Sequence, residues 1–404
     1  MNILLSAFAC EPNRGSEEGV GWNWAINLAK NHEVFVITRE QEKSFIEKYL
    51  SEYAMEHIHF YYFEDQGLMH FIDKKIPYGF RIYYKWWQKK IVPIVQAITD
   101  CVDIDIIQQL TYNEYRTPGR LYTLGVPFVW GPIGGGHEYN AALRRAHYRF
   151  LDVILEVVRK WMNHRYLKDK DVVASIEQSA AILVADPATY NLLPKTRQYE
   201  RLLETAYYAD RNPIKSYVQK ANYSTIYLMY AGVMPPRKGL KIIIEALGES
   251  DFRDFELVLI GDGKDRKRLE QDVKRYKIAD QVKFLGKLSY DEVNSYYDWA
   301  DLFLFPSLRD TSGNVILEAM SHGTPVIALN HNGAADIITE DTGELITIHN
   351  YNQVKQDFIH KIKKYYENRE ELERKGTNAR MRIENIYSWS RVMQVMEDIY
   401  AGII

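Results

Sequence analysis

The chain has 404 residues, room for two domains of roughly 200 residues each. Its 46% hydrophobic and 26% charged shares are those of an ordinary globular protein, and a net charge of −3 gives no overall basic surplus pointing to nucleic acid. Two cysteines, Cys10 and Cys101, make neither a disulfide framework nor a metal cluster, and fit a reducing, cytoplasmic compartment.

In chain order, MNILLSAFAC is too short an apolar run for a secretory segment and has no basic residues ahead of it, so it reads as a buried first strand. No run approaches the ~18 apolar residues that span a bilayer. The strand-like runs HEVFVIT, HIHFYYF, DIIQQL, PFVW and AAILVA follow, separated by helical patterns. Apolar strands alternating with helices are the mark of a parallel sheet covered on both faces. Around 205–222, YYADRNPIKSYVQKAN is polar and unpatterned and marks a domain boundary. The rhythm then restarts with STIYLMYAG, FELVLIGDG, QVKFLG, DLFLFPS and TPVIAL. The expected fold class is α/β, with two Rossmann-like doubly wound domains, 1–205 and 206–385, facing a central crevice. A last helix at 386–404 crosses back to the first domain. Ligands of such sheets bind in the loops that leave the carboxyl ends of the strands.

Four such loops draw attention. CEPNRGSEEGVGWNWA brings Gly15 and Glu17 after the first strand, but its glycine spacing is not that of a dinucleotide fingerprint. Arg39 follows VFVIT where a dehydrogenase would place an acid, which weakens that reading. In VWGPIGGGHEYN, Gly135 and Gly136 lie beside His137, a base or hydrogen-bond donor on one reading and a structural histidine on the other. In YAGVMPPRKGL, Gly232 ends a strand, and Arg237 with Lys238 suit a diphosphate at a helix start; surface Arg-Lys pairs are also common. In SLRDTSGNVILEAM a helix begins near Gly313, so backbone N–H groups of Gly313, Asn314 and Val315 can hold phosphate oxygens. Glu318 can accept two ribose hydroxyls, and Asp310 the hydroxyls of a sugar. The plainer alternatives are a capping aspartate and a solvated glutamate.

These motifs together resemble the GT4 family of retaining glycosyltransferases, which have the two-domain GT-B fold. YAGVMPPRKG, LVLIGDG, DLFLFPS, SLRDTSGNVILEAMSHGTPVIA and IYSWSRV carry the likeness; the first half matches more loosely. The resemblance implies that Arg237 and Lys238 stabilise the leaving diphosphate and that Glu318 binds the ribose. Asp310, Thr311 and Ser312 would contact the donor sugar, Leu288 would lie near the base, Gly15 near the phosphates and Glu17 toward the acceptor. It also implies front-face attack assisted by the leaving phosphate. Two departures stand out: the first acid of the family's pair is usually glutamate, and the family's histidine after PFVW is replaced by Gly131 and Pro132, leaving His137 a few residues on.

Fixed cations and a helix start can stabilise a leaving diphosphate without a metal, and no cofactor or metal site is expected. The single D-x-D, Asp103-Ile104-Asp105, reads as structural. Residues 71–170 hold 16 Lys and Arg against nine Asp and Glu, with mixed aromatics and cations in GFRIYYKWWQKK and a basic amphipathic pattern in 144–168. That suits either docking on the inner face of an anionic membrane or an aromatic acceptor wall with a solvated helix face. The expected activity is hexose transfer from a nucleotide sugar, such as UDP-glucose, to a glycan or lipid-linked glycan in polysaccharide synthesis. The rivals are a non-catalytic nucleotide-sugar-binding protein and a phosphorylase or epimerase of the same fold.

Overall fold

The computed structural model describes residues 1–404 apart from 65, 66, 68, 70, 73–75, 77, 78, 113, 139, 209–223 and 312. The polar boundary segment therefore lies outside the described residues from 209 onward. The chain divides into two compact units. Unit 1 comprises Met1–Gly136, Met162–Thr205 and Ser390–Ile404; unit 2 comprises His137–Trp161 and Ala206–Trp389.

Unit 1 is built on seven strands: β1 (Asn2–Ala7), β2 (Glu33–Arg39), β3 (Ile58–Phe63), β4 (Ile106–Leu110), β5 (Phe128–Ile133), β6 (Ala181–Val184) and the two-residue β7 (Glu200–Arg201). Their order is β3-β2-β1-β4-β5-β6-β7, and all pair in parallel. Unit 2 has β8 (Ile226–Ala231), β9 (Phe255–Ile260), β10 (Val282–Gly286), β11 (Leu302–Phe305), β12 (Val326–Leu329) and β13 (Gly343–Ile346). Their order is β10-β9-β8-β11-β12-β13, again parallel throughout. Both are doubly wound, Rossmann-like sheets. β1, β4, β8 and β11 lie inside their sheets with helices on both faces, which is why NILLSA, IIQQL, IYLMYA and LFLF are almost wholly buried.

Three details differ from the sequence reading. The strand expected to stop at PFVW runs through Gly131 and Pro132 to Ile133, with a break in its register on β6. β7 and β13 are additional; each is short, and GELI carries too few apolar residues to stand out. The helix Gly79–Lys90 buries Tyr83, Tyr84 and Trp87. They surround Phe8 at the end of β1, with ring centroids 5.4, 5.0 and 5.1 Å away. Its aromatics are thus core, not an exposed wall: the edge-to-face cluster fills the space under the first strand.

The last helix, Trp389–Ala401, lies in unit 1 from Ser390 on. Val392, Met396 and Tyr400 are buried, the Tyr400 hydroxyl bonds to Gln108 on β4, and Glu397 meets His32 at 2.9 Å. Asp105 accepts from the Asn2 N–H at 2.7 Å, so the D-x-D fastens the two central strands at their starts.

Candidate functional site

In unit 2 the chain leaves β8 through Gly232 and enters a short 3-10 turn, Pro236–Lys238, before the helix Leu240–Glu249. It leaves β11 through Pro306 and Ser307 and enters the helix Asn314–Ser321. β8 and β11 are neighbours, so the two loops touch. Leu308 N–H donates to Arg237 O at 2.8 Å, and Arg237 Nη1 donates to Arg309 O at 3.1 Å.

Side-chain charge converges on this seam. Lys238 Nζ pairs directly with the Asp310 carboxylate, and Arg237 stands 4.0 Å from it. Burial alone would push the Asp310 carboxyl up, but Lys238 and Arg237 outweigh it and hold the group below the usual carboxylate range. His137 exerts a smaller pull in the same direction, which places this histidine within electrostatic reach of Asp310. Lys238 is itself lowered by burial, partly countered by Asp310. Asp310 is therefore an ionised partner of a cation and not the helix cap.

The cap position is Gly313, at φ 67°, and a glycine there has no side chain of its own to cap the helix. A Cβ there would lie 3.0 Å from Ile316 and 3.1 Å from Phe305, so the turn is closed to larger residues. Asn314 and Val315 form the first turn, Thr311 precedes it half-buried, and Ser312 lies outside the described residues. One turn in, Glu318 accepts the Tyr297 hydroxyl at 2.8 Å. Burial raises its carboxyl, and the Tyr297 bond partly offsets this. Leu288 sits half-buried between β10 and the next helix.

The remaining expected residues lie in unit 1. Gly15 is exposed at the start of the helix Ser16–Leu28. Glu17 accepts the Tyr112 N–H at 2.9 Å, and burial pushes its carboxyl up to about 7. Gly136 donates its N–H to Thr189 at 2.8 Å and would place a Cβ 2.5 Å from Thr189 Cα; its smallness serves a backbone contact within the unit. Gly135 lies against Arg116 and Glu114.

The structure adds groups that sequence reasoning missed. His331 donates from Nε2 to Ser307 O at 2.8 Å, pinning the loop that carries Asp310. Tyr297, fully buried and stacked on His322, orients Glu318, while His322 meets Asp298 at 2.8 Å. A tyrosine that is buried must place its hydroxyl somewhere, but the partner is 21 residues away in sequence and only the packing of the two helices reveals it.

Two Rossmann-like units of parallel sheet make up the GT-B fold, which the solved neighbours share. Residues 214–382 match the model of the glycosyl transferases group 1 family. An uncharacterized glycosyltransferase of Methanocaldococcus jannaschii is 30% identical over 174 residues, covering 43% of this chain and 47% of that protein. The chain spans about half or less of the length of the curated relatives it matches. Two solved structures share the fold across the chain. Sucrose-phosphate synthase of Thermosynechococcus elongatus has a TM-score of 0.65 at 16% identity, covering 99% of this chain and 98% of its own. Anabaena HepE in complex with UDP also scores 0.65 at 16%, covering 99% of each.

Proposed function

We propose that this chain is a retaining glycosyltransferase that moves a hexose from a nucleotide sugar to a glycan or lipid-linked glycan in polysaccharide synthesis. A UDP-sugar, UDP-glucose for example, is the favoured donor; the Anabaena neighbour, of the same fold, was solved with UDP. The observation that carries the reading is the seam of Arg237, Lys238 and Asp310 beside a helix start with glycine at its cap position, with Glu318 one turn further on.

The chemistry follows from those groups. Transfer puts growing negative charge on a diphosphate, and preorganised cations and helix N–H groups stabilise it without reorganising water. Arg237, Lys238 and the Gly313–Val315 backbone supply this, without a metal. Glu318, oriented by Tyr297, accepts the ribose hydroxyls, while Asp310 and Thr311 face the sugar. Leu288 lies toward the base. Gly15, Gly135 and Gly136 belong to the acceptor-side unit with Glu17, and His137 serves the seam as a donor or proton carrier. A lipid-linked acceptor would be met at the inner membrane face.

A thermal-shift panel of nucleotide sugars, followed by mass analysis of turnover, tests this. Stabilisation by one nucleotide sugar with transfer to an added glycan supports it. Phosphate-dependent turnover would indicate a phosphorylase, turnover without any acceptor an epimerase, and binding without turnover a non-catalytic protein.

A further inference from the structure

The helix Phe150–Tyr166 is inverted relative to an ordinary surface helix. Phe150, Leu151, Ile154, Leu155, Val158 and Trp161 are all exposed, Phe150 at 78% and Trp161 at 63%. At 3.6 residues per turn these positions form one broad, continuous outward stripe. The side that faces unit 2 is polar instead: Glu156 pairs with Arg309 at 3.0 Å and both are largely covered. That ion pair holds the helix with its apolar face away from the unit. Among the described residues, no other helix exposes more than two large apolar side chains.

Charge selects the occupant. Residues 144–168 hold seven Lys and Arg against two Asp and Glu, and one of those two acids is Glu156, engaged on the inner side. Arg144, Arg149, Arg165 and Lys168 are exposed, and so is Lys160, which pairs with Glu138 at 2.8 Å. An apolar stripe bearing Trp and Phe and rimmed by cations matches the boundary between acyl chains and anionic headgroups. A second copy of the chain would bring the same cations against each other.

We propose that the outward face of this helix docks on an anionic lipid surface. The Glu156–Arg309 pair then puts that surface next to the loop carrying Asp310, where a lipid-linked acceptor would be presented. Only this last step rests on the transferase reading; docking itself does not.

The test is flotation of the full chain with vesicles, without any nucleotide sugar, at low salt. One set is phosphatidylcholine alone, the other contains about one third phosphatidylglycerol. The expected result is flotation with the anionic set only, reduced about tenfold in a Leu151→Asp/Val158→Asp variant. That variant should keep its circular dichroism spectrum and its thermal shift with UDP, since both positions are exposed. Absence of flotation by the natural chain overturns the proposal, as does equal flotation of the variant. A dimer by light scattering that the variant converts to a monomer, with no vesicle binding, would assign the face to a second copy. Failure of any vesicle arm leaves the nucleotide-sugar panel untouched, so the two readings fall separately.

Discussion

At Asp310 the carboxylate is already paired, because Lys238 and Arg237 share it across the seam between two loops. A diphosphate entering there must compete for those cations. The aspartate carboxylate stays paired with Lys238. Lys238→Ala is expected to lower kcat by about 10²–10³-fold, the scale of losing one charge-stabilising donor, with a much smaller change in UDP affinity. Pre-steady-state rates beside a UDP titration would separate these effects, and an unchanged rate would remove Lys238 from the chemistry. Glu318→Ala should instead weaken UDP binding by about 1.5–3 kcal/mol, the worth of hydrogen bonds to a charged group. Tyr297→Phe should weaken it less, since the carboxylate remains but loses its orienting donor; calorimetry ranks the three. Glu17 supplies a pH signature. Its folded value of about 7 lies above the ordinary 4.5, so the folded chain holds a proton that the unfolded chain has released between them. The stability tied to that proton is complete below the unfolded value and is lost as pH rises through about 7. Glu17→Gln should therefore flatten the fall in Tm between about pH 5 and pH 8; an unchanged slope would refute the shift.

The helix Asn314–Ser321 shows what an element contributes. Its start depends on Gly313 in the left-handed region with two side chains close by. Gly313→Ala should cost roughly 1–3 kcal/mol in denaturant unfolding, together with lower UDP affinity because the first-turn N–H groups shift. A destabilised variant that binds UDP normally would separate the turn from the site. The loop order and the residues of this helix were legible in SLRDTSGNVILEAM, because small residues before an apolar run announce a helix start. The helix Gly79–Lys90 was not legible in the same way. Aromatics interleaved with cations describe equally a core face and a binding wall, and only the position of Phe8 decides that Tyr83, Tyr84 and Trp87 turn inward. In Phe150–Tyr166 the same kind of pattern has the opposite outcome, with the apolar side outward, because Glu156 finds Arg309.

Over the whole molecule, the chain passes between the units more than once: 137–161 groups with unit 2, and the last helix completes unit 1 from Ser390 onward. Removing residues 390–404 deletes Val392, Met393, Met396 and Tyr400, all buried; truncating one large core side chain costs about 2–5 kcal/mol. Unit 1 should then melt well below its natural temperature while the UDP-dependent shift of unit 2 persists; calorimetry showing one common shift for both would contradict it. The sequence alone determined the two parallel sheets and most of their strands, because burial on both faces writes a strand as an apolar run. It also determined which loops carry the cations, the acids and the small residues, since strand-to-helix turns need those types locally. Only the tertiary structure decided which of these meet. The Lys238–Asp310 pair spans 72 residues and the Tyr297–Glu318 bond 21, and each exists because neighbouring β-strands or packed helices bring distant loops together. Local sequence specifies conformation, whereas partnership depends on strand order, and strand order is fixed by how the whole sheet buries its apolar faces.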